Sequence, residues 1–158
     1  MRPPLRSDVE ELSLMVHDLG VYASAGKNVC VAASGIQLNQ SIVLEVARDS
    51  KDPMSLTLMG RLLWLGDVDR RDGPGIAFPR CDYVVVTEPV SIHMRIREQQ
   101  VVVYLADSLK AGTGLGANYC KIGHAYTLID KYQAFIYEKV GSIDSIDWQG
   151  YVDAVKNK

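Results

Sequence analysis

The segment AGTGLGANYC at residues 111–120 carries glycines at 112, 114 and 116 behind an apolar run, and loops of this composition bind nucleotides or S-adenosylmethionine. In such a loop the glycines directly follow a strand and open a helix, so that backbone N–H groups face the charge of the ligand. Here ADSLKA separates the glycines from VVVYL, and no later strand ends in an acidic residue that could bind a ribose. We therefore predict a mobile, solvent-exposed loop at Gly114 with no cofactor, in which glycine permits positive φ.

Asp67 and Asp69 form a DxD pattern, in which two carboxylates could hold a divalent cation. One large class of glycosyltransferases uses such a pair to hold Mn²⁺ against the diphosphate of a sugar nucleotide. The chain contains 13 aspartates, so a pattern this short arises about once by chance. The adjoining Arg70, Arg71 and Asp72 equally fit a polar loop that pairs with itself. We predict no metal, with Asp67 and Asp69 as the ligands if one binds.

Polar residues follow two apolar runs of strand length at the point where each run ends. Ser34 follows NVCVAA, while Glu88 lies at the end of DYVVVTEP and His93 comes shortly after it. The carboxyl ends of parallel strands border the usual ligand crevice of an α/β sheet, where a His–Glu pair could do acid–base chemistry. Asn39 either faces the same ligand or caps the following helix. We predict Ser34, Asn39, Glu88 and His93 as ligand-facing residues and assign no catalytic residue, because no Gly-x-Ser-x-Gly elbow or catalytic cysteine setting is visible.

Strands and helices alternate through the first half of the chain, which predicts a parallel sheet covered by helices. The predicted parallel strands are residues 28–33, 62–66, 82–87 and 100–105, and the predicted helices are residues 7–25, LNQSIVLEVARD and residues 144–156. AYTLI and QAFIYEKV predict an antiparallel hairpin around Asp130 and Lys131. The expected fold class is α/β, a Rossmann-like three-layer sandwich with a mostly parallel sheet, a C-terminal antiparallel hairpin and a terminal helix.

Length and composition fit one soluble α/β domain over residues 1–158. The formal net charge is -2 and Lys and Arg are scattered, so we expect no nucleic-acid partner. Cys30, Cys81 and Cys120 make an odd number without a CxxC pair, which predicts free thiols. No apolar run approaches the ~20 residues of a membrane span, and the polar start MRPPLRSDVEE is unlike a signal peptide.

A series of short motifs resembles the soluble C-terminal domain of bacterial integral-membrane glycosyltransferases of the dolichyl-phosphate-mannose protein mannosyltransferase and lipid-A aminoarabinose transferase type. The motifs are PPLRSD at residues 3–8, VAAS and LN within residues 31–39, VDRRDG at 68–73, DYVVVTEP at 82–89 with His93 and Gln100 after it, GTGLGANY at 112–119 and IYEK at 136–139. Each motif is short, and the resemblance depends on their common order and spacing.

The resemblance implies a soluble domain excised from a larger membrane protein. The larger protein would transfer a sugar from a polyprenyl-phosphate donor. The acidic catalytic residue of such enzymes lies in a membrane-proximal external loop, so no catalytic role is carried over to a position here. The domain itself is expected to be non-catalytic, extracytoplasmic and without a cofactor. Its implied partners are the membrane-embedded part of the parent protein and a lipid-linked sugar or acceptor, which Gly114 and the end of DYVVVTEP would face.

A second interpretation assigns the chain to a different class of protein. The chain could be a free-standing, cytoplasmic, small Rossmann-like enzyme that binds a nucleotide, S-adenosylmethionine or a sugar nucleotide. A long hydrophobic coding region upstream and in frame would favour the membrane transferase, and a stop codon there would favour the free-standing enzyme.

Overall fold

The computed structural model describes residues 6–67 and 69–156, which fold around one five-stranded sheet. The helices are α1 (Val9–Ala23), α2 (Gln40–Asp49), α3 (Pro53–Met59), α4 (Asp69–Asp72), α5 (Gln100–Ala111) and α6 (Ser145–Lys156). The strands are β1 (Val29–Val31), β2 (Leu62–Leu63), β3 (Tyr83–Glu88), β4 (Tyr119–Thr127) and β5 (Gln133–Lys139). The predicted helices at α1, α2 and α6 are confirmed, as is the hairpin of β4 and β5, which turns through Asp130 and Lys131 at positive φ.

The sheet is mixed, with the strand order β2-β1-β3-β5-β4. Strand β1 runs parallel to β2 and β3, and β5 runs antiparallel to β3 and β4. The prediction of a mostly parallel sheet is wrong, because β3 pairs with β5 over six residues but with β1 over only three. The C-terminal hairpin therefore lies beside β3 on the side away from β1, and the expected fourth parallel strand does not join the sheet.

That expected fourth strand, residues 100–105, is the first half of helix α5. The buried residues of α5 are Val101, Val102, Leu105, Ala106, Ser108 and Leu109. Their spacing marks one face of a helix, and Asp107 on the other side is exposed. Three consecutive valines favour a strand by intrinsic propensity, but burial of a helical face outweighs that preference.

Helices cover both faces of the sheet, because alternate residues of a strand point to opposite sides. Val29, Val31 and Val85 belong to the apolar core that includes α1, α2 and α3. Cys30 and Val84, one position along in each strand, belong to the core that includes α5 and α6. Both faces of β1 and β3 are therefore buried, which explains why their sequences read as continuous apolar runs.

Cys30 in β1 and Cys81, just before β3, form a disulfide within the second core. Their Cα atoms lie 5.7 Å apart, a separation that a disulfide spans, and both residues are fully buried. The prediction of free thiols is wrong for this pair and confirmed for the exposed Cys120. The pairing has no local signal, because 51 positions separate the two cysteines and only the packing of β1 beside β3 brings them together.

Helix α3 is absent from the sequence-based prediction, although Asp52 followed by Pro53 is a start signal for a helix. The Asp52 carboxylate accepts from the backbone N–H groups of Met54 and Ser55 at 3.4 and 3.2 Å. It also lies 2.7 Å from Nδ1 of His17 in α1. The hydrogen bond with His17, followed by that with Ser55, lowers the pKa of Asp52 to about 2. This one carboxylate thus starts α3 and joins it to α1.

Candidate functional site

A crevice of about 390 Å³ opens at the carboxyl ends of β1 and β2. Its walls are the start of α2, the segment that follows β2, and the segment between β3 and α5. Ser34, Asn39, Trp64, Asp67 and His93 line it, together with several aliphatic side chains. The three parallel strands end at this edge of the sheet, so the segments that follow them converge here.

The structure brings three of the predicted ligand-facing residues together in this crevice, namely Ser34, Asn39 and His93, and it adds Asp67 from the DxD pattern. Asn39 also caps α2, because its Oδ1 accepts from the backbone N–H of Ile42 at 2.9 Å. The capping role left open by the sequence is therefore present, and it holds Asn39 at the wall of the crevice.

Glu88 is engaged elsewhere. Its carboxylate forms an ion pair with Lys110 of α5, and its side chain is 58% exposed. His93 instead approaches Asp67, with 3.9 Å between Nδ1 and the carboxylate Oδ2. The structure thus does not join Glu88 and His93 into the acid–base pair that the sequence suggested.

Gln99, which the sequence reasoning overlooked, holds the walls of the crevice together from a fully buried position. Its Oε1 accepts from the backbone N–H groups of His93 and Met94 at 2.9 and 3.0 Å. Its Nε2 donates to Ser34 Oγ at 2.8 Å and to the backbone carbonyl of Asp67 at 3.0 Å. One amide therefore fixes the segments that follow β1, β2 and β3, and nothing in the local sequence REQQ marks this residue as buried.

The ring of His93 has a defined orientation. Its Nδ1 lies 2.9 Å from the backbone carbonyl of Ser34, and a carbonyl only accepts, so Nδ1 carries a hydrogen and donates it. The 3.2 Å contact between Nδ1 and Gln99 Nε2 then joins two donors and is not a hydrogen bond. In the neutral ring Nε2 is an acceptor, and among the described residues it has no hydrogen-bond partner. His93 can therefore accept a hydrogen bond from a ligand.

Asp67 is held in place by a polar turn. Its carboxylate accepts from Arg71 Nη2 at 2.9 Å, while its backbone N–H donates to Asp72 at 3.1 Å. Burial and the neighbouring Asp72 raise the pKa of Asp67, and the charges of His93 and Arg71 oppose that rise. These contacts match the self-paired polar loop that the sequence suggested. The side chain of Asp69 lies outside the described residues, and within the described residues no group of three or more His, Cys, Asp and Glu could hold a metal ion.

Trp64 stands at the mouth of the crevice and is 57% exposed. One side of it lines the crevice, and it also borders a neighbouring hollow with Ile76, which is still more exposed. The second tryptophan, Trp148, is partly buried in the other core, where its ring lies 5.2 Å from that of Tyr151. Trp64 is therefore an aromatic surface available for contact beside polar groups.

The glycine segment is packed at its second half, so the prediction of a solvent-exposed loop is wrong for Leu115 and Gly116, whereas Gly112 and Thr113 are exposed. Gly112 ends α5 at φ 67, which confirms the predicted use of positive φ. Gly114–Asn118 then forms a 3₁₀ helix in which Leu115 is fully buried. A Cβ on Gly116 would lie 1.8 Å from the carbonyl oxygen of Ser108, so only glycine lets this turn pack against α5. Leu115, next to Gly114, belongs to the core that includes α5 and α6, and Gly114 itself is half-buried and does not line the crevice.

Comparison with protein-family models, with curated proteins and with solved structures finds no match for this chain. Within the described residues, no helix is long and apolar enough to cross a membrane. Function is therefore inferred from the crevice, the disulfide and the order of the motifs.

Proposed function

We propose that this chain is a non-catalytic accessory or substrate-binding domain of a membrane glycosyltransferase that uses a polyprenyl-phosphate sugar. The domain lies on the extracytoplasmic side in this proposal. Its partners are the membrane-embedded part of the parent protein and a lipid-linked sugar or acceptor. The common order of the motifs supports the class of parent protein.

The disulfide between Cys30 and Cys81 carries the extracytoplasmic part of the proposal. Disulfides persist in oxidising compartments such as the bacterial periplasm and are rare in the cytosol. This disulfide joins β1 to the segment before β3 across a separation of 51 positions. A cross-link that closes a loop of that length stabilises the folded state by about 4 kcal/mol, because it lowers the conformational entropy of the unfolded chain. An oxidising environment is therefore where this core is most stable.

The positions of the motifs support a binding role. VAAS and LN supply Ser34 and Asn39 to the crevice, Asp67 directly precedes VDRRDG, and His93 follows DYVVVTEP. The other motifs in the described region serve packing, since IYEK lies in β5 and GTGLGANY leads from α5 into β4. Polar side chains gathered on loops at one edge of a sheet are explained by ligand contact better than by core packing.

The polar contacts favour binding without catalysis. Lys110 engages Glu88, and Arg71 engages Asp67. His93 lies 3.9 Å from Asp67, which is beyond the distance of a hydrogen bond between an acid and a base. The proposal assigns the acidic residue needed for transfer to the membrane-proximal part of the parent protein.

The oxidation state of the chain tests the proposed compartment. Protein isolated from the cells that make it, and alkylated without a reductant, should carry one alkyl group, at Cys120. The Cys120→Ser variant should carry none, which shows that the single group marks that site. Alkylation of Cys30 and Cys81 in unfolded but unreduced protein would contradict an extracytoplasmic location.

Sugar transfer tests the non-catalytic role. The chain alone, incubated with polyprenyl-phosphate sugars and with sugar nucleotides, should give no turnover above background. The full-length parent should transfer sugar and should lose that activity when this domain is deleted. Turnover by the chain alone that is abolished in His93→Ala or Asp69→Ala would overturn the proposal.

The second candidate is a free-standing Rossmann-like enzyme, favoured by one observation. The crevice lies at the carboxyl ends of parallel strands that have helices on both faces, where doubly wound enzymes bind nucleotides. Calorimetry with S-adenosylmethionine, NAD and a uridine-diphosphate sugar should show no micromolar binding if the first proposal holds. Micromolar binding of any of them, weakened in Ser34→Ala, would favour the enzyme.

A further inference from the structure

The crevice combines an exposed indole with polar side chains that are fixed in position. Trp64 lies on one wall, and Asp67 and His93 lie beside it. Gln40 and Ser41, at the start of α2, complete the opposite wall with an amide and a hydroxyl. The buried Gln99 amide ties the segments carrying Asp67 and His93 to each other, so these groups are held before any ligand arrives.

The chemistry of the lining selects among ligand classes. None of the described lining residues is Lys or Arg, and the carboxylate of Asp67 repels an anion, so phosphate groups are disfavoured. A purely apolar ligand would remove the carboxylate, the imidazole and the amide from water without replacing their hydrogen bonds. A neutral ligand with many hydroxyl groups avoids both penalties, because each hydroxyl can donate and accept.

We propose that the crevice binds one neutral pyranose ring of a saccharide. A pyranose has one face formed by C–H bonds, and that face packs on the ring of Trp64, whose π-surface is electron-rich. Asp67 accepts hydrogen bonds from neighbouring hydroxyls of the ring, and His93 Nε2 accepts from another. The volume of about 390 Å³ lies at the small end of the usual range for ligand pockets, which suits a single ring rather than a dinucleotide.

The lipid-linked origin of the bound sugar rests on the proposed function. Binding of a free pyranose does not depend on it and can be measured with this chain alone. Asp67 keeps acceptor capacity for a ligand, since a carboxylate has about four lone-pair sites and the hydrogen bond from Arg71 uses one of them.

The experiment uses the chain with Trp148→Phe, so that Trp64 is the only tryptophan and its fluorescence reports on the crevice. The probes are the methyl pyranosides of glucose, mannose and galactose, with inorganic phosphate and uridine diphosphate for comparison. A ring of about a dozen heavy atoms supports a Kd of about 1 mM. We expect at least one pyranoside to change the Trp64 fluorescence saturably and to shift the backbone amide resonances of residues 34–41 and 64–67.

Three variants assign the binding to named groups, with amide resonance shifts as the readout. Trp64→Ala and Asp67→Asn should each weaken pyranoside binding about tenfold or more. Ile76→Ala is the matched control, because Ile76 is an exposed apolar residue next to Trp64 that does not line the crevice. It should leave the Kd unchanged.

The inference is overturned by an absence of saturable binding at ~10 mM pyranoside, by binding that Trp64→Ala leaves intact, or by binding of phosphate or uridine diphosphate alone. A further probe, the bound pyranose linked to a short isoprenyl phosphate, separates the inference from the proposed function. Binding of the free ring but not of the isoprenyl-linked ring supports the saccharide site and contradicts the lipid-linked role. A parent enzyme that transfers lipid-linked sugar while this crevice binds no pyranose supports the proposed function and overturns the inference.

Discussion

The crevice at the carboxyl ends of β1 and β2 and the glycine segment at residues 112–116 are built in opposite ways. At the crevice, a fully buried amide from Gln99 joins three backbone segments through hydrogen bonds. At the glycine segment, the absence of a side chain on Gly116 brings the turn into direct contact with the backbone of α5. The crevice is therefore an open volume lined by polar groups, whereas the glycine segment packs directly on α5 without an open volume between them.

The contrast shows that glycine and polar side chains have different uses at the ends of elements. A glycine near a helix end lets either a ligand or another backbone segment come close to the chain, and the atoms that lie next to it show which of the two applies. Here Ser108 and Leu109 occupy the place that a ligand would need beside Gly116. At the crevice, Ser34 and His93 are bonded to Gln99 or to each other yet still line an open volume.

The largest expected effect is from Gly116→Ala. The added Cβ would lie 1.8 Å from Ser108 O and 2.6 Å from Leu109 N, and both are backbone atoms within α5 that cannot move aside. We expect a loss of about 3 kcal/mol or more in the free energy of unfolding, measured by urea denaturation.

Gly150→Ala in α6 is the matched control for this substitution. Among the described residues no atom lies within 4 Å of a Cβ at Gly150, and its φ is not in the left-handed region. Alanine is favoured over glycine inside a helix, so the control should be neutral or more stable by up to about 1 kcal/mol. Equal stability of the Gly116→Ala variant and the original chain would show that the segment is not packed as described.

The next largest effect is expected at the crevice, from Gln99→Leu. Leucine fills a similar volume but leaves the N–H groups of His93 and Met94 and the carbonyl of Asp67 without their buried partner. We expect a loss of about 2 kcal/mol in the free energy of unfolding. The amide resonances of His93 and Met94 should also shift, because their hydrogen bonds to Gln99 are lost.

Gln149→Leu is the control, since Gln149 is exposed on α6 and, within the described part of the chain, its side chain donates only to Asp153 one turn later. It should change stability by less than about 0.5 kcal/mol. A Gln99→Leu variant that unfolds at the same urea concentration as Gln149→Leu would mean that the amide does not hold the crevice walls.

The sequence predicts those parts of the fold in which local preference and tertiary packing agree. Helices α1, α2 and α6 follow from apolar spacing, and the β4–β5 hairpin follows from two apolar segments around Asp130 and Lys131. Residues 100–105 are mispredicted because three valines favour a strand locally while their burial pattern is helical. The mixed sheet is mispredicted because residue type does not reveal that β5 returns beside β3.

The sequence predicts which residues meet at the crevice where their position depends on strand ends, and it fails where their position depends on tertiary contacts; that these residues face a ligand stays a prediction. Ser34 and His93 are found because parallel strands bring their carboxyl ends to one edge. Glu88 also lies at a strand end, but a lysine of α5 engages it, and α5 is the element that the sequence mispredicts. Gln99 is missed because a buried glutamine is recognised only by its partners, which come from three distant segments.

The smallest effect is expected from Gly112→Ala, which separates backbone conformation from packing within the glycine segment. Gly112 has φ 67 and ψ 30, and no atom of the residues that the structure describes lies within 4 Å of a Cβ built there. Gly112→Ala should therefore lower the free energy of unfolding only by the cost of the left-handed conformation, about 1 kcal/mol. Gly112→Asn should lower it less, because asparagine tolerates that region. The two variants are compared by their urea midpoints at an unchanged m-value.

If Gly112→Ala lowered the free energy of unfolding as much as Gly116→Ala, the stability contributed by this segment would come from the conformation of the turn rather than from its close approach to α5. The ordering Gly116→Ala, Gly112→Ala, Gly112→Asn, from most to least destabilised, would instead assign the role of these glycines to close packing first and to the turn second.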